Sequence, residues 1–188
     1  MSSKKIAIFA SGSGSSAENI ILSFRNNPRM EVSKIYCNKP DAFVLERIKK
    51  YNIESLVFNS TELNNDLVLK DLTKASPDLI VLAGFLQKIP ENIINTFKNK
   101  IINIHPSLLP RHGGKGMYGL NVHKSVIKSN DSETGFTIHY VNRDYDAGNI
   151  IFQKIVKVGT NDPNALAKKV LIEEHKYYPE IIKEILYD

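Results

Sequence analysis

The chain reads Ile6-Ala7-Ile8-Phe9-Ala10 and then Ser11-Gly12-Ser13-Gly14-Ser15-Ser16-Ala17 near its start. The first run is short and apolar, so it predicts a buried strand. The second run is rich in glycine and serine, so it predicts a turn, and Ser15 or Ser16 can cap a following helix. A buried strand that turns directly into a helix is typical of an open α/β sheet.

The same alternation of strand and helix continues through the first half of the chain. Short links join the elements, which favours an open, mostly parallel, Rossmann-like sheet with helices on both faces. In such a sheet the ligand lies at the carboxyl ends of the strands. The predicted strands are 6–10, 32–37, 55–58, 78–82 and 101–104. The first predicted helix begins at residue 15 and is stopped by residues 26–28, and further helices are predicted at 41–51, 61–73 and 90–97.

The second half of the chain changes character. Residues 106–119 are rich in Pro and Gly and predict a long functional loop. No repeat or linker interrupts the sequence, so residues 1–188 are expected to form a single domain that includes an antiparallel strand in its C-terminal half. The elements predicted after the loop are a helix at 121–128, strands at 135–141 and 150–158, and a last helix capped by 161–163 with a bend at Pro179.

Composition excludes several classes of protein. A single cysteine, Cys37, cannot form an internal disulfide, so a reducing, cytoplasmic location is expected. The first apolar run is too short for the core of a signal peptide. None of the other apolar runs is long enough to span a membrane. The 25 Lys and Arg against 20 Asp and Glu give a net charge of +5, but these residues are scattered, so nucleic acid is not expected as a partner.

The glycine-serine turn is a candidate anion site. It fits the pattern G-x-G-x-x-G/A, in which small residues let an anion approach free N–H groups at a helix N-terminus. An NAD site also needs an acid at the end of the second strand, whereas this strand ends in Tyr36-Cys37-Asn38. The turn therefore favours a phosphate, while a turn without a ligand and an NAD-dependent oxidoreductase remain alternatives.

A second group of polar side chains closes the fifth predicted strand, at Asn103-Ile104-His105-Pro106. Side chains alternate along a strand, so Asn103 and His105 share a face at the carboxyl edge. Both can donate to a developing oxyanion, and His can carry a proton near neutral pH. Taken alone, the pair also fits a strand end that satisfies its own hydrogen bonds, and Asp146 also fits a turn.

Four segments carry a resemblance to a known family. The string Asn103-Ile104-His105-Pro106-Ser107-Leu108-Leu109-Pro110 is specific to formyl-folate enzymes. Together with the other segments, in this order, the sequence resembles the phosphoribosylglycinamide formyltransferases, which are folate-dependent enzymes of purine biosynthesis. The other segments are Ala10-Ser11-Gly12-Ser13-Gly14-Ser15, Val81-Leu82-Ala83-Gly84-Phe85 and Asp146-Ala147-Gly148-Asn149-Ile150-Ile151, and the likeness extends to Glu174-His175 and Tyr178-Pro179.

The resemblance implies transfer of a formyl group from the co-substrate 10-formyltetrahydrofolate to the amine of 5′-phosphoribosylglycinamide, without a metal. Formylglycinamide ribonucleotide and tetrahydrofolate are the implied products, in de novo purine (IMP) biosynthesis. By family role, Asn103 and a protonated His105 stabilise the oxyanion. Asp146 raises the His105 pKa and helps to pass a proton from the amine to the folate nitrogen. A formyltransferase for another amine, such as an amino-sugar nucleotide, and a non-catalytic folate-binding protein are alternatives.

Two binding regions are implied by the same resemblance. The phosphoribosylglycinamide set is Gly14, Ser15, Ser16 and Glu174, with Lys115 in the glycine-rich segment 111–119 as a further candidate for the phosphate. The folate set is Leu86, Gln87, Lys88, Ile89, Asn103, Tyr140, Val141, Asp144 and Asp146, with His139 facing the site. The expected partners are these small molecules, and the chain is expected to be a monomer or a homodimer.

Three features depart from familiar bacterial members of this family. Ser16 stands where they carry Asn, and Gln87 stands where they carry Arg. Residues 111–119 form a longer segment than in those members, and a flap over the substrate is expected there. His123, on the helix after this segment, is expected to have an ordinary surface role.

Overall fold

The computed structural model describes residues 3–187, and within that range seven strands form one sheet in the order β3-β2-β1-β4-β5-β6-β7. The strands are β1 Lys4–Ala10, β2 Met30–Cys37, β3 Glu54–Val57, β4 Leu79–Leu82, β5 Ile101–His105, β6 Glu133–Tyr140 and β7 Ile150–Lys157. The helices are α1 Ser15–Phe24, α2 Phe43–Ile48 with a 3₁₀ turn at Lys49–Tyr51, α3 Ser60–Asn64, α4 Leu67–Ala75, α5 Glu91–Thr96, α6 Leu120–Lys128 and α7 Pro163–Tyr187.

Strand β1 lies near the centre of the sheet because its side chains from Ile6 to Ala10 are apolar on both faces and completely buried. It pairs in parallel with β2 on one side and with β4 on the other. The strand order therefore reverses between β1 and β4. A crevice opens beyond the carboxyl ends of the strands at such a reversal, and this is the usual place for a ligand in an open α/β sheet.

Helices cover both faces of the sheet. On one face, α1, α2, α6 and α7 pack around a core that includes Ile8 and Ile20. On the other face, α3, α4 and α5 pack around Phe9 and Tyr36, whose rings stack with centroids 4.7 Å apart. This confirms the predicted α/β class with helices on both faces.

Strand β6 runs antiparallel to both of its neighbours, β5 and β7, which confirms the predicted antiparallel strand. Its pairing with β5 places His139 opposite Asn103 and Thr137 opposite His105. The antiparallel direction matters for the site, because it brings a histidine from another part of the chain to the carboxyl end of β5.

The helix predicted at residues 61–73 is in fact two helices. Asn59 and Glu62 form a capping box at the start of α3. Asp66 then adopts a left-handed conformation, with φ of 67°, and α4 begins after it. A residue in this conformation cannot continue a right-handed helix. The leucine spacing continues on both sides of the break, which is why periodicity alone predicted one helix.

The predicted long loop is present, because residues 106–119 contain neither helix nor strand. The last helix, α7, continues through Pro179 to Tyr187. None of the helices between residues 3 and 187 is long and apolar enough to span a bilayer.

Candidate active site

A cavity of about 690 Å³ opens at the carboxyl edge of the sheet, where the strand order reverses. Its walls come from the β1–α1 turn, the loop after β4, the end of β5, the loop 106–119, the β6–β7 connection and one face of α7. The cavity brings together most of the residues singled out in the sequence. These are Ser15, Ser16, Leu86, Gln87, Lys88, Ile89, Asn103, His105, Lys115, His139, Val141, Asp144, Asp146 and Glu174.

Gly14 and Tyr140 do not line the cavity. Gly14 is the residue before α1, and its backbone lies against Val44 of α2. Tyr140 contributes its main-chain oxygen, which accepts a hydrogen bond from Nδ1 of His139 at 2.9 Å. Both residues therefore support groups that face the cavity.

The amide of Asn103 is oriented by His139. Because the carbonyl of Tyr140 can only accept, Nδ1 of His139 carries a proton, and in the neutral ring Nε2 is an acceptor. The Nδ2 atom of Asn103 lies 3.2 Å from this Nε2. One amide N–H is thus taken by His139, and the second is left for a ligand in the cavity.

His105 and Asp146 face each other at the end of β5. The Nδ1 atom of His105 lies 3.5 Å from Oδ2 of Asp146, and Oδ1 of the same carboxylate lies 3.7 Å from Nε2 of His139. The side chains of His105 and Asp146 are 5% and 12% exposed. A carboxylate and two imidazoles therefore lie close together with little exposure to solvent.

Burial lowers the pKa of His105, and it outweighs the carboxylate of Asp146 and the carbonyl of His112, which both act to raise the pKa. Asp146 thus acts in the predicted direction, but the net shift is downward. Burial therefore opposes the protonated form of His105 that the resemblance implies. The physical reason is the low exposure of the imidazole, which the sequence pattern does not reveal.

Asp146 stays a carboxylate in this corner. Burial acts to raise its pKa, but the contact with His139, the charge of His105 and the N–H of Gly114 together outweigh burial and lower the pKa. Gly114 donates this hydrogen bond to Oδ2 at 2.9 Å. Asp146 is therefore available as a fixed negative charge beside His105.

The glycine-serine turn is held by helix α2. The N–H of Val44 donates to the oxygen of Gly12 at 3.1 Å, and Nε of Arg47 donates to the oxygen of Ser13 at 2.7 Å. Arg47 also pairs with Glu18 in the first turn of α1. These contacts fix the turn so that the N-terminus of α1 opens towards the cavity, where an anion is favoured.

The Gly14→Ala substitution is expected to destabilise the fold by about 2 kcal/mol or more. Gly14 has φ of 74°, and a Cβ there would lie 2.7 Å from Cα of Val44. Urea unfolding measures the loss. Gly12→Ala is the matched control, because no atom lies within 4 Å of its Cβ position. Equal stability of the two variants would contradict this account of the turn.

Two ionisable residues of α7 lie near the α1 turn, and of these two only Glu174 lines the cavity. Nε2 of His175 lies 3.3 Å from Oγ of Ser16, so this hydroxyl is tied to α7. Glu174 is only 9% exposed although it lines the cavity. Burial raises the pKa of Glu174 to about 7, because its charged form lacks solvation.

The loop after β4 forms the opposite wall. Leu86 is 46% exposed and Ile89 is buried, so this wall is largely apolar. Nε2 of Gln87 donates to Ser60 at 2.7 Å. Nζ of Lys88 lies 5.5 Å from the ring centroid of Tyr145, which links this wall to the β6–β7 connection.

Met117 and Tyr118, which belong to the segment 111–119 expected to form a flap, also line the cavity. The surface role expected for His123 is wrong, because its side chain lines the cavity and the residue is only 4% exposed. The signal that could have placed it is the position of His123 on the inward face of α6, beside the buried Val122 and Val126. Between residues 3 and 187, no group of three or more His, Cys, Asp or Glu is arranged to hold a metal ion.

Known proteins share this fold and sequence. The formyl transferase family model matches residues 4–182. Phosphoribosylglycinamide formyltransferase of Bacillus subtilis is 33% identical over 190 residues, covering 97% of this chain and 95% of that protein. The crystal structure of the Bacillus halodurans enzyme of the same name has a TM-score of 0.88 at 35% identity, covering 97% of this chain and 95% of that one.

Plant relatives are longer than this chain. The chloroplastic phosphoribosylglycinamide formyltransferase of Arabidopsis thaliana is 40% identical over 190 residues, and the match covers 97% of this chain but 65% of the relative. For the relative from Vigna unguiculata the share of its length is 61%. A family match that covers all seven strands, together with the shared fold, shows that the chain belongs to the formyl transferase family.

Proposed function

We propose that this protein transfers the formyl group of 10-formyltetrahydrofolate to the amine of 5′-phosphoribosylglycinamide, as a step of de novo purine biosynthesis. One observation carries the proposal. The amide of Asn103, the imidazole of His105 and the carboxylate of Asp146 meet at the edge of a cavity into which the N-terminus of α1 also opens. An oxyanion site next to a phosphate site fits a phosphorylated amine as the formyl acceptor.

The names of relatives support the same acceptor. Curated relatives from Arabidopsis thaliana, Bacillus subtilis and Escherichia coli are named phosphoribosylglycinamide formyltransferase. These names do not favour the alternative acceptor, an amino-sugar nucleotide. The donor follows from the resemblance to folate-dependent enzymes and from the apolar side chains of Leu86 and Ile89 in the cavity wall, which suit a pterin ring. The chemistry proposed below uses no metal.

The first step is attack of the neutral amine on the formyl carbon. A C–N bond forms, the carbonyl electron pair moves to oxygen, and the amine nitrogen becomes positively charged. Two groups at the end of β5 can accept its proton, Nδ1 of His105 and the carboxylate of Asp146, and they lie 3.5 Å apart. His105 takes the proton, directly or through water, and the resulting imidazolium is stabilised by Asp146.

The second step is collapse of the tetrahedral intermediate. The oxyanion is stabilised by the free N–H of Asn103 and by the positive charge of the His105 imidazolium. The bond between the formyl carbon and N10 of the folate then breaks. The imidazolium gives its proton to N10, so the amine proton ends on tetrahydrofolate and His105 returns to its neutral state.

The acceptor is held on the opposite side of the cavity. We assign its phosphate to the N-terminus of α1, at Gly14, Ser15 and Ser16, and its ribose hydroxyls to Glu174. Lys115 is a further phosphate contact in this assignment. The folate contacts are assigned to residues 86–89 and to the segment from Tyr140 to Asp146. Binding of the acceptor in one region and of the folate in the other places the amine near the formyl carbon. This lowers the entropic part of the barrier.

We further propose that residues 1–188 act as one formyltransferase domain in the cytoplasm. Support comes from the single sheet that runs from β1 to β7 and from α7, which packs back on α1. The single buried thiol, Cys37, suits a reducing compartment.

The direct test is the absorbance change of the folate when phosphoribosylglycinamide is added to the protein and 10-formyltetrahydrofolate. Turnover is expected with this acceptor and not with amino-sugar nucleotides offered under the same conditions. If only an amino-sugar nucleotide were turned over, the proposed acceptor would be wrong. Binding of folate without turnover of any amine would overturn the assignment as an enzyme.

The His139→Phe substitution is expected to lower kcat by about 10-fold, less than loss of an oxyanion donor itself. Phenylalanine fills the space but cannot accept from Asn103, so the amide is no longer held in place. In an Asn103→Ala background the same change is expected to have little further effect, because the oriented group is already gone. Additive losses in this double-mutant cycle would argue against orientation through Asn103.

A further inference from the structure

A four-residue segment, Arg111 to Gly114, contacts both members of the His105–Asp146 pair through its main chain. The carbonyl oxygen of His112 lies 2.9 Å from Nε2 of His105. The N–H of Gly114 donates to Oδ2 of Asp146 at 2.9 Å. The relative position of the imidazole and the carboxylate therefore depends on where this segment lies.

The contact with His112 also determines which nitrogen of His105 exchanges a proton. A carbonyl oxygen can only accept, so Nε2 of His105 must carry its hydrogen. In the neutral ring Nδ1 is then unprotonated, and this is the nitrogen that faces Asp146 at 3.5 Å. Without the carbonyl the proton could sit on either nitrogen, and the other tautomer would place an N–H where the site needs an acceptor.

The segment is anchored by the side chain of His112, which lies outside the cavity. Its Nε2 lies 2.8 Å from Oδ2 of Asp131, and its Nδ1 lies 2.9 Å from Oγ of Ser125 on α6. The side chains of His112 and Asp131 are 11% and 8% exposed. We call His112, Ser125 and Asp131 the His112 anchor.

The anchor stabilises an unfavourable backbone conformation at His112. His112 has φ of 53°, in the left-handed region that non-glycine residues rarely adopt. Two buried polar contacts on one ring compensate for this conformation. Arg111 also pairs with Asp131, but its side chain is 63% exposed, so it adds little to the position of the segment.

We propose that His112 and Asp131 are positioning residues for formyl transfer, which hold the His112 carbonyl against His105 and so keep the exchangeable proton site on Nδ1. This inference rests on the proposed function, because it assigns Nδ1 a role in that reaction. If the two residues had a purely structural role, their substitution would loosen the loop. It would not change the tautomer of His105, and it would not affect kcat more strongly than KM.

The test uses the Asp131→Ala variant of the full chain, labelled with ¹⁵N in histidine. In the wild-type protein without substrate, the ¹⁵N shifts of His105, assigned with a His105→Ala sample, are expected to show the Nε2–H tautomer. In Asp131→Ala they are expected to show a mixture of both tautomers. With substrates, kcat is expected to fall by about 10- to 100-fold and KM for both substrates to change much less, because the anchor acts on the His105–Asp146 pair and not on the α1 turn or on residues 86–89.

Arg111→Ala is the matched control. It removes the exposed partner of the same carboxylate and leaves the His112 contact, so the tautomer is expected to stay unchanged and kcat to stay within about twofold. If Asp131→Ala does not fold, His112→Asn replaces it. Asparagine tolerates a positive φ, but its shorter side chain cannot reach both Ser125 and Asp131, so the same mixture of tautomers is expected.

The outcomes separate this inference from the proposed function. A wild-type tautomer other than Nε2–H, or an unchanged tautomer and kcat in Asp131→Ala, would overturn the role of the anchor even if formyl transfer occurs. Absence of formyl transfer by the wild-type protein would overturn the proposed function. The tautomer experiment, which needs no substrate, would then still decide whether the anchor controls His105.

Discussion

Alanine at either Asn103 or His105 is expected to lower kcat by about 100- to 1,000-fold or more, with the fold intact. Asn103→Ala removes an amide donor that His139 holds in place. His105→Ala removes both the positive charge that stabilises the oxyanion and the group that carries the proton between the two nitrogens. The loss is expected in kcat, because both groups act on charge that exists only in the transition state.

Steady-state kinetics of formyl transfer measures these losses, and circular dichroism checks the fold. Asn95→Ala is a suitable control, because Asn95 is exposed on α5 and does not line the cavity. Its kcat is expected to match that of the wild-type protein. If Asn103→Ala kept full turnover, the oxyanion would have to be stabilised elsewhere, and the proposed site would be wrong.

Asp146→Asn is expected to lower kcat/KM by about 100- to 10,000-fold, the range for loss of a group in proton transfer. It is also expected to shift the acid limb of the pH profile. Burial lowers the pKa of His105 and the Asp146 carboxylate opposes this shift. Removal of the charge therefore lowers the pKa of His105 further, so protonation of the ring, and the loss of activity that goes with it, occurs at a lower pH.

The shift can be followed in kcat/KM from acid to neutral pH and by NMR titration of His105 in the free protein. Asp41→Asn is the control, because Asp41 is an exposed carboxylate outside the cavity. An acid limb that moved to higher pH in Asp146→Asn would mean that the titrating group is not His105. An unchanged rate would remove Asp146 from the proton path.

The sequence predicted the frame of the fold well, because its signals are local. The apolar run at Ile6 to Ala10 and the turn after it define β1 and the start of α1, and both are where the pattern placed them. The break between α3 and α4 was missed although Asn65 and Asp66 are typical of turns. Regular leucine spacing outweighed that signal, since the phase of the apolar positions hardly changes across the break.

The site was predictable only in part. The alternation of side chains along a strand places Asn103 and His105 on one face, but nothing local links them to Asp146, which entered through the resemblance to a family. The anchor of His112 was not predicted, because its partner Asp131 is 19 positions away and neither residue belongs to a periodic pattern. The lowered pKa of His105 depends on burial, which is a property of the whole cavity.

The buried carboxyl group of Glu174 makes the stability of the folded chain depend on pH. Its pKa is raised from 4.5 to about 7 by burial. The folded chain therefore holds this proton more tightly than the unfolded chain, and the resulting stability is lost as the pH rises through about 7. Above that pH the cleft contains a poorly solvated negative charge on Glu174, and hydroxyl donors from a sugar would stabilise this charge. The protection that a ribose-bearing molecule gives against heat should accordingly be greatest in alkaline buffer.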